Sequence, residues 1–472
     1  MEPSVIAPHA STVAPAGATR VERARAWLDG HRALAAVVAV AFVLRLTWVL
    51  WWQPSAPIHW QLSGDQFSYY HYAREIAAGR GYVHYVTGEP TAYYPIGYPA
   101  ILAALFFVVG HTPVPDDYMM AVNVLHVAVG TASVVLAYLV GRALFGERGG
   151  LAGAALVAVF PNLVYQVTSI QLETMYIFWC LAAVAILVTH DWSRGLPSTR
   201  RLVAFGAVLG VSVLIRPFSI WFVVALFAGA VVAGAGWRRS VRAALIPLGV
   251  VLLMMVPWTI RNAVRLDAFV PTSTNTGDTL CLDRSMDATG GFRWADHEGC
   301  ADPDLPEVER NSENTRMAVR WVLDHPAREV EQIVRRTKLI FASDTDGITA
   351  VNTLGGGAVM ADSTADVLEV LANAGWLVIC LLATAGVVIL LARRRHEPAT
   401  AIVLVSLASL IVIPMLLWGN PRFHLPFSPF LAILAGGAIG TLLDALRRPG
   451  GEHRHDEAHS GEGAETVQPL EA

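Results

Sequence analysis

Apolar residues along this chain fall into long blocks separated by short polar breaks. Runs lie at 33–52, 119–141, 150–166, 172–190, 202–217, 219–236, 243–260, 366–392, 399–417 and 427–446. A helix needs about 20 apolar residues to cross a bilayer core, so the pattern predicts about ten transmembrane helices. The runs at 150–166 and 202–217 are short for a span. A further run, 97–110 (GYPAILAALFFVVG), is shorter still and predicts a re-entrant or membrane-surface helix. Two long polar stretches interrupt the blocks, 53–118 and 261–365. In the first, a short helix is expected over 66–78. Gly79 to Tyr82 (GRGY) would end it, and YYPIGYP would turn the chain back toward the bilayer. In the second, 307–324 and 326–341 read as helices. The latter carries Val330, Ile333, Val334, Ile340 and Phe341 on or near one face, a pattern suited to lying on a membrane.

Charge orients the spans. With the N-terminus in the cytoplasm and 97–110 left as non-spanning, Arg142, Arg148, Arg194, Arg200, Arg201, Arg238, Arg239, Arg242, Arg393 to Arg395, Arg447 and Arg448 all fall inside. This obeys the positive-inside rule, and counting 97–110 as a span would break it at every later loop. The expected organisation is a cytoplasmic tail (1–32), a transmembrane module (33–260) with its first external loop (53–118), an extracytoplasmic region (261–365), C-terminal spans (366–446) and a solvated cytoplasmic tail (447–472). The first apolar run begins at Ala33, late and long for a cleavable signal, and reads as a signal anchor.

Composition agrees. The 472 residues are 54% hydrophobic and 15% charged, with mean hydropathy +0.47, against about 25% charged residues in soluble domains. A net charge of −4 excludes a nucleic-acid-binding surface. Lys338 is the single lysine, so a preference for Arg over Lys carries little information here. Cys180 and Cys380 lie in apolar runs as packing residues. Cys281 and Cys300 share one outer region, where a disulfide and two free thiols are both open readings. The tail histidines 453, 455 and 459 read as part of a solvated segment rather than a metal site.

Ionisable residues at membrane depth are costly and mark function. Under this topology Asp65, Glu173, Arg216, Arg261 and Arg422 gather at one outer boundary from distant parts of the chain. Arg45, within the first span, is expected to snorkel outward. Helix ends near water normally carry charges, and for any one residue that is the simpler reading. As a set, two acids and three arginines suit a membrane-anchored, negatively charged substrate such as a lipid phosphate, which guanidinium groups hold by paired hydrogen bonds. Asp65 is placed to take a proton from an attacking hydroxyl or amine. The loop tyrosines, Tyr69, Tyr93 and Tyr94 among them, would stack on a sugar or anchor at the headgroup level.

The stretch GDQFSYYHYAREIAAGRGY, followed by PTAYYPIGYPAILA, resembles the first external loop of GT-C type membrane glycosyltransferases, family 39-like. That group is related to protein O-mannosyltransferases and the lipid A aminoarabinose transferase. LIRPFSIWF, PWTIRNAVRLDAFVPTSTNTG and PRFHLPFSPFLAILAG fit the same group in the same order, so the resemblance covers about residues 33–446. It implies an all-α, GT-C-like bundle with two large extracytoplasmic loops in a bacterial plasma membrane. It also implies a polyprenyl-phosphate sugar donor and a lipid, glycan or protein acceptor at the outer face. Asp65 would be the catalytic base, with Glu173 supporting it. Arg261, Arg422 and Arg216 would hold the donor phosphate, and Tyr69, Tyr93, Tyr94, Glu89 and His424 would line the substrate loop. Gln66 stands where many relatives have a second carboxylate, so neither a metal nor another cofactor is expected. A monomer is the default.

The reaction so implied is a single displacement with inversion at the anomeric carbon. Asp65 accepts the acceptor's proton and arginines hold the departing phosphate. Two other classes compete. A flippase for polyprenyl-linked glycan would place its polar groups near the bilayer midplane, whereas here the middles of the spans are apolar. A non-enzymatic scaffold would have no need for carboxylates to meet arginines at one boundary.

Overall fold

A computed structural model describes residues 32–52, 64–84, 86–110, 115–292, 300–352 and 359–447. The tails, including Arg448 and the three tail histidines, lie outside the described residues, as does Tyr85. The described chain is all-α: α1 (Arg32–Trp52), α2 (Gly64–Ala77), α3 (Gly97–Val109), α4 (Pro115–Val159), α5 (Pro161–Tyr165), α6 (Glu173–Val188), α7 (Thr199–Ile215), α8 (Phe222–Val232), α9 (Trp237–Leu266), α10 (Thr276–Cys281), α11 (Glu307–Asp324), α12 (Pro326–Ala342), α13 (Asp346–Asn352), α14 (Asp362–Arg394), α15 (Pro398–Met415) and α16 (Ser428–Leu446). Among the described residues, six helices are long and apolar enough to cross a membrane: Arg32–Trp51, Tyr118–Val159, Trp237–Leu266, Asp362–Arg394, Pro398–Met415 and Ser428–Leu446. Shorter apolar helices lie at Gly97–Val109, Glu173–Val188 and Pro217–Val232.

α4 is two helices joined at Gly146, whose φ of 78° and ψ of −172° break the helical path. An L side chain is disfavoured there, so the turn depends on glycine. Arg148 pairs with Asp444 near the end of α16, which puts the 142–148 turn and the last basic residues at one end of the bundle. Arg201 donates to the Ile186 carbonyl at 2.7 Å, closing the 186–201 connection. α16 packs along α4 and α14, α1 along α4, α9 along α7, and α15 along α8.

Three expectations change. The run 150–166 is not one span: its helix stops at Val159, because Pro161 offers no N–H to the Val157 carbonyl. Arg45 does not snorkel. It is 1% exposed, and its guanidinium donates to the Val157 and Ala158 carbonyls at 3.2 and 3.0 Å. It thereby satisfies acceptors that the helix end leaves open. Finally, α9 runs unbroken to Leu266, so Arg261 lies inside a helix rather than at the start of the outer region.

The 261–365 region is held by its own polar core. Arg336 is fully buried and donates to Asp283 Oδ2 (2.5 Å), the Asp283 carbonyl (3.1 Å) and Glu329 Oε1 (2.7 Å). Arg284 donates to the same Glu329 oxygen at 2.9 Å and to the Leu416 carbonyl at 2.8 Å. Cys281 and Cys300 are joined by a disulfide, with Cα atoms 5.9 Å apart. On α12, Val330 and Val334 are exposed while Ile340 is buried, so its apolar residues divide between two sides.

Candidate active site

Four separate elements deliver the central charges. Asp65 and Glu173 each sit in the first turn of a helix, α2 and α6, where the helix dipole favours a carboxylate. Arg216 follows α7 in extended backbone (φ −148°, ψ 117°), the conformation Pro217 enforces on the residue before it. Arg422 rides on a 3₁₀ turn, Pro421–His424, entered through Asn420, whose side chain accepts from the Arg422 N–H at 2.8 Å. Gly97 lets α3 approach the end of α7: a Cβ there would lie 2.5 Å from the Leu214 carbonyl carbon. The loop that carries Tyr93 and Tyr94 is thereby held beside Arg216.

Arg422 uses three nitrogens. Nε donates to Glu173 Oε1 at 2.7 Å, Nη2 to Glu173 Oε2 at 3.1 Å, and Nη1 to Asp65 Oδ2 at 2.6 Å. Arg216 Nη2 donates to Glu173 Oε1 at 3.2 Å. The Tyr94 hydroxyl donates to Asp65 Oδ1 at 2.7 Å. Two carboxylates and two guanidiniums thus cancel. Glu173 is fully buried, whereas the Asp65 side chain is 33% exposed. Burial alone would raise the Asp65 pKa. Arg422, the Tyr94 hydroxyl and Arg216 outweigh it and hold the carboxyl below its ordinary value, so Asp65 stays ionised. Tyr69 packs edge-on to Tyr94 and Tyr98, and burial, then the Asp65 charge, pushes its phenol up.

The other expected residues divide. Tyr93 donates to Asp278 Oδ2 at 2.9 Å, tying the 53–118 loop to the 261–365 region. Glu307 reinforces that tie by accepting from the Ala92 N–H at 2.9 Å and from the Thr91 and Thr274 hydroxyls. Glu89 stands exposed on a turn in which His84 N–H donates to its carbonyl. His424 does not line open space: it is fully buried beneath the Trp376 ring. Gln66 is a clip, accepting from Ser169 Oγ and Ile170 N–H and donating to the Ala350 carbonyl.

Arg261 stands apart from the four-charge cluster. It donates to the Thr91 and Tyr82 carbonyls and lies 5.1 Å from the Trp258 ring centroid. With Arg80 and Arg265 it lines a cavity of about 520 Å³. An apolar groove of about 420 Å³, walled by Ile101, Leu214, Met254 and Pro257, adjoins it. The two share Ile96, Ala100 and Trp258. Among the described residues, no group of three or more His, Cys, Asp or Glu side chains is placed to hold a metal ion.

Sequence reading missed Asp344 and Asp346. Asp346 faces the charges of Arg422, Glu173 and His424; its Oδ2 is buried without a partner, and burial pushes its pKa up to about 7. The acidic spacing in SDTDG (343–347) was the available signal, but nothing in the local pattern distinguishes it from the exposed acids around it.

Comparison with known proteins bears on the fold. Residues 95–260 match the family model described as dolichyl-phosphate-mannose-protein mannosyltransferase. The match includes Glu173 and Arg216 but not Asp65, Arg261 or Arg422. The apo crystal structure of the Archaeoglobus fulgidus oligosaccharyltransferase is similar at TM-score 0.53 and 15% identity, over 88% of this chain and 51% of that one. AglB from the same organism, in complex with an inhibitory peptide and a dolichol-phosphate, is similar at TM-score 0.51 and 16% identity, over 89% and 51%. ArnT from Cupriavidus metallidurans, bound to undecaprenyl phosphate, gives 0.41 and 15%, over 87% and 78%. Among curated proteins none matches. The chain spans about half the length of the oligosaccharyltransferases it resembles. The fold is that of the GT-C membrane glycosyltransferases, and the chain is a multi-pass membrane protein.

Proposed function

We propose that this protein is an integral-membrane glycosyltransferase. It moves a sugar from a polyprenyl-phosphate donor to a lipid, glycan or protein acceptor at the outer face of a bacterial plasma membrane. The observation that carries this reading is the partly open Asp65–Arg422–Glu173–Arg216 cluster, together with a separate basic cavity that adjoins an apolar groove. A lipid phosphate matches both halves of that second space. Its isoprenoid tail suits the groove beside α3 and α9, and its phosphate suits Arg261, Arg265 and Arg80.

Asp65 accepts the proton of the attacking acceptor. Arg422 keeps it ionised, at some cost in basicity. Glu173 anchors the two arginines, which holds the Arg422 guanidinium in place against Asp65. The phosphate leaves without needing a proton, its charge met by arginine, and attack from the opposite side inverts the anomeric carbon. A cytoplasmic C-terminus belongs to the same reading, since the basic turn at 142–148 shares its end of the bundle with Asp444.

The test is transfer from a panel of radiolabelled polyprenyl-phosphate sugars in membranes, comparing the wild type with Asp65→Asn. Label reaching an acceptor, and falling about a hundredfold or more in the variant, is the expected result. Transfer that survives the substitution would remove Asp65 from catalysis. Movement of labelled lipid across the bilayer without transfer would favour a flippase.

A further inference from the structure

Behind the turn that carries Arg422 lies a second acid–base pair that the proposed chemistry does not use. His424 and Asp344 are both fully buried, with Nε2 and Oδ1 2.6 Å apart. The other ring nitrogen, Nδ1, lies 2.8 Å from the Ile340 carbonyl oxygen. A carbonyl only accepts, so Nδ1 carries a proton. The Nε2–Oδ1 contact needs one more, held by the imidazole or by the carboxyl. The second Asp344 oxygen is buried without a partner, and a proton there would be an unmet donor. The proton therefore lies between the two side chains.

Each member is held from further sides. Asn162 Nδ2 donates to Asp344 Oδ1 at 2.5 Å, and the Asp344 N–H donates to Asn373 Oδ1 at 2.8 Å. The Trp376 ring lies on the imidazole, centroids 4.1 Å apart and planes at 17°. Residues two apart on a 3₁₀ turn point about 240° from one another around its axis. His424 thus leaves the Pro421–His424 turn on one side and Arg422 on another, toward Asp65 and Glu173.

We propose that Asp344 and His424 form a positioning pair, sharing one proton, that clamps this turn from behind and sets the Arg422 guanidinium against Asp65 and Glu173. The importance of the clamp for sugar transfer rests on the function proposed above. The pair is sealed from the open side of the site, so it acts through Arg422.

The experiment follows Arg422 directly. The purified full chain is treated with phenylglyoxal, and adducts on individual arginines are counted by peptide mass spectrometry, with fully buried Arg336 as the control for folding. His424→Ala is expected to raise Arg422 labelling at least about tenfold, the size of one lost hydrogen bond to a charged group, with Arg336 still protected. His424→Gln, whose amide nitrogen can still reach Asp344, is expected to restore most of the protection. Unchanged labelling in His424→Ala overturns the proposal, and so does equal labelling in the Ala and Gln variants. If His424→Ala is not recovered folded, Asp344→Asn decides. It replaces the proton-sharing contact with a neutral one, a several-fold rise is expected, and no rise overturns the clamp. Transfer from polyprenyl-phosphate sugars is measured alongside. A wild type that transfers nothing would overturn the functional reading, while the labelling still judges the clamp.

Discussion

Two clusters in this molecule have the same composition, two acids and two arginines, and different surroundings. Asp283, Glu329, Arg284 and Arg336 sit at 0%, 9%, 5% and 0% side-chain exposure, and all but Glu329 also bond to backbone groups. Asp65, Glu173, Arg216 and Arg422 also contain a fully buried carboxylate, but Asp65 is one-third exposed and a phenol is bonded to it. Inventory alone cannot separate them. The first set is sealed and joins the 261–365 region to the end of α15. The second is open at Asp65, and openness is what chemistry needs. A sealed network can only hold the fold, since its desolvation is offset only while every member is paired.

That contrast can be broken in graded ways. Arg336→Ala should have the largest effect on stability, about 3–5 kcal/mol, because it strands Asp283 and Glu329 in the interior. The check is thermal unfolding in detergent, and near-normal stability would mean the sealed cluster is not structural. Asp65→Asn should leave the melting temperature nearly unchanged while lowering transfer about a hundredfold or more. Parallel losses of stability and activity would erase the distinction between the clusters. Arg261→Ala should raise KM for the lipid donor by about tenfold, the scale of one charge-assisted contact, with a smaller change in kcat. A loss confined to kcat would place Arg261 outside donor binding.

The pH dependence is the finest test. Asp65 is held below its ordinary pKa, so its contribution to stability is complete above pH of about 4 and is lost as pH falls through its lower folded value. The acidic limb of kcat/KM should lie below the ordinary carboxylate range for the same reason. Arg422→Gln should move that limb upward, and a limb that does not move would remove Arg422 as the group that holds Asp65 ionised.

The helical plan was legible in the chain because apolar block length and proline position act locally. The short helix beginning near Asp65, the short apolar α3, and the pair of helices at 307–324 and 326–341 all lie close to where the pattern places them. The same local physics explains two misjudged ends. α9 continues past 260 because no breaker follows the last apolar residue, and the 150–166 run breaks because Pro161 lies inside it.

The sequence by itself determined that this is an all-α membrane protein and which residues interrupt its helices, and it led to the expectation that Asp65, Glu173, Arg216 and Arg422 gather at one boundary. Tertiary structure alone decided how they are used. Arg422 spans both carboxylates, Arg261 turns to a separate cavity, Arg45 closes a helix end, and His424 faces inward to Asp344. The physical reason is range. Hydrophobic length and backbone propensity are fixed within a few turns of chain. Pairing between groups as distant as Asp65 and Arg422 is set by which helices pack together, and no local pattern encodes that.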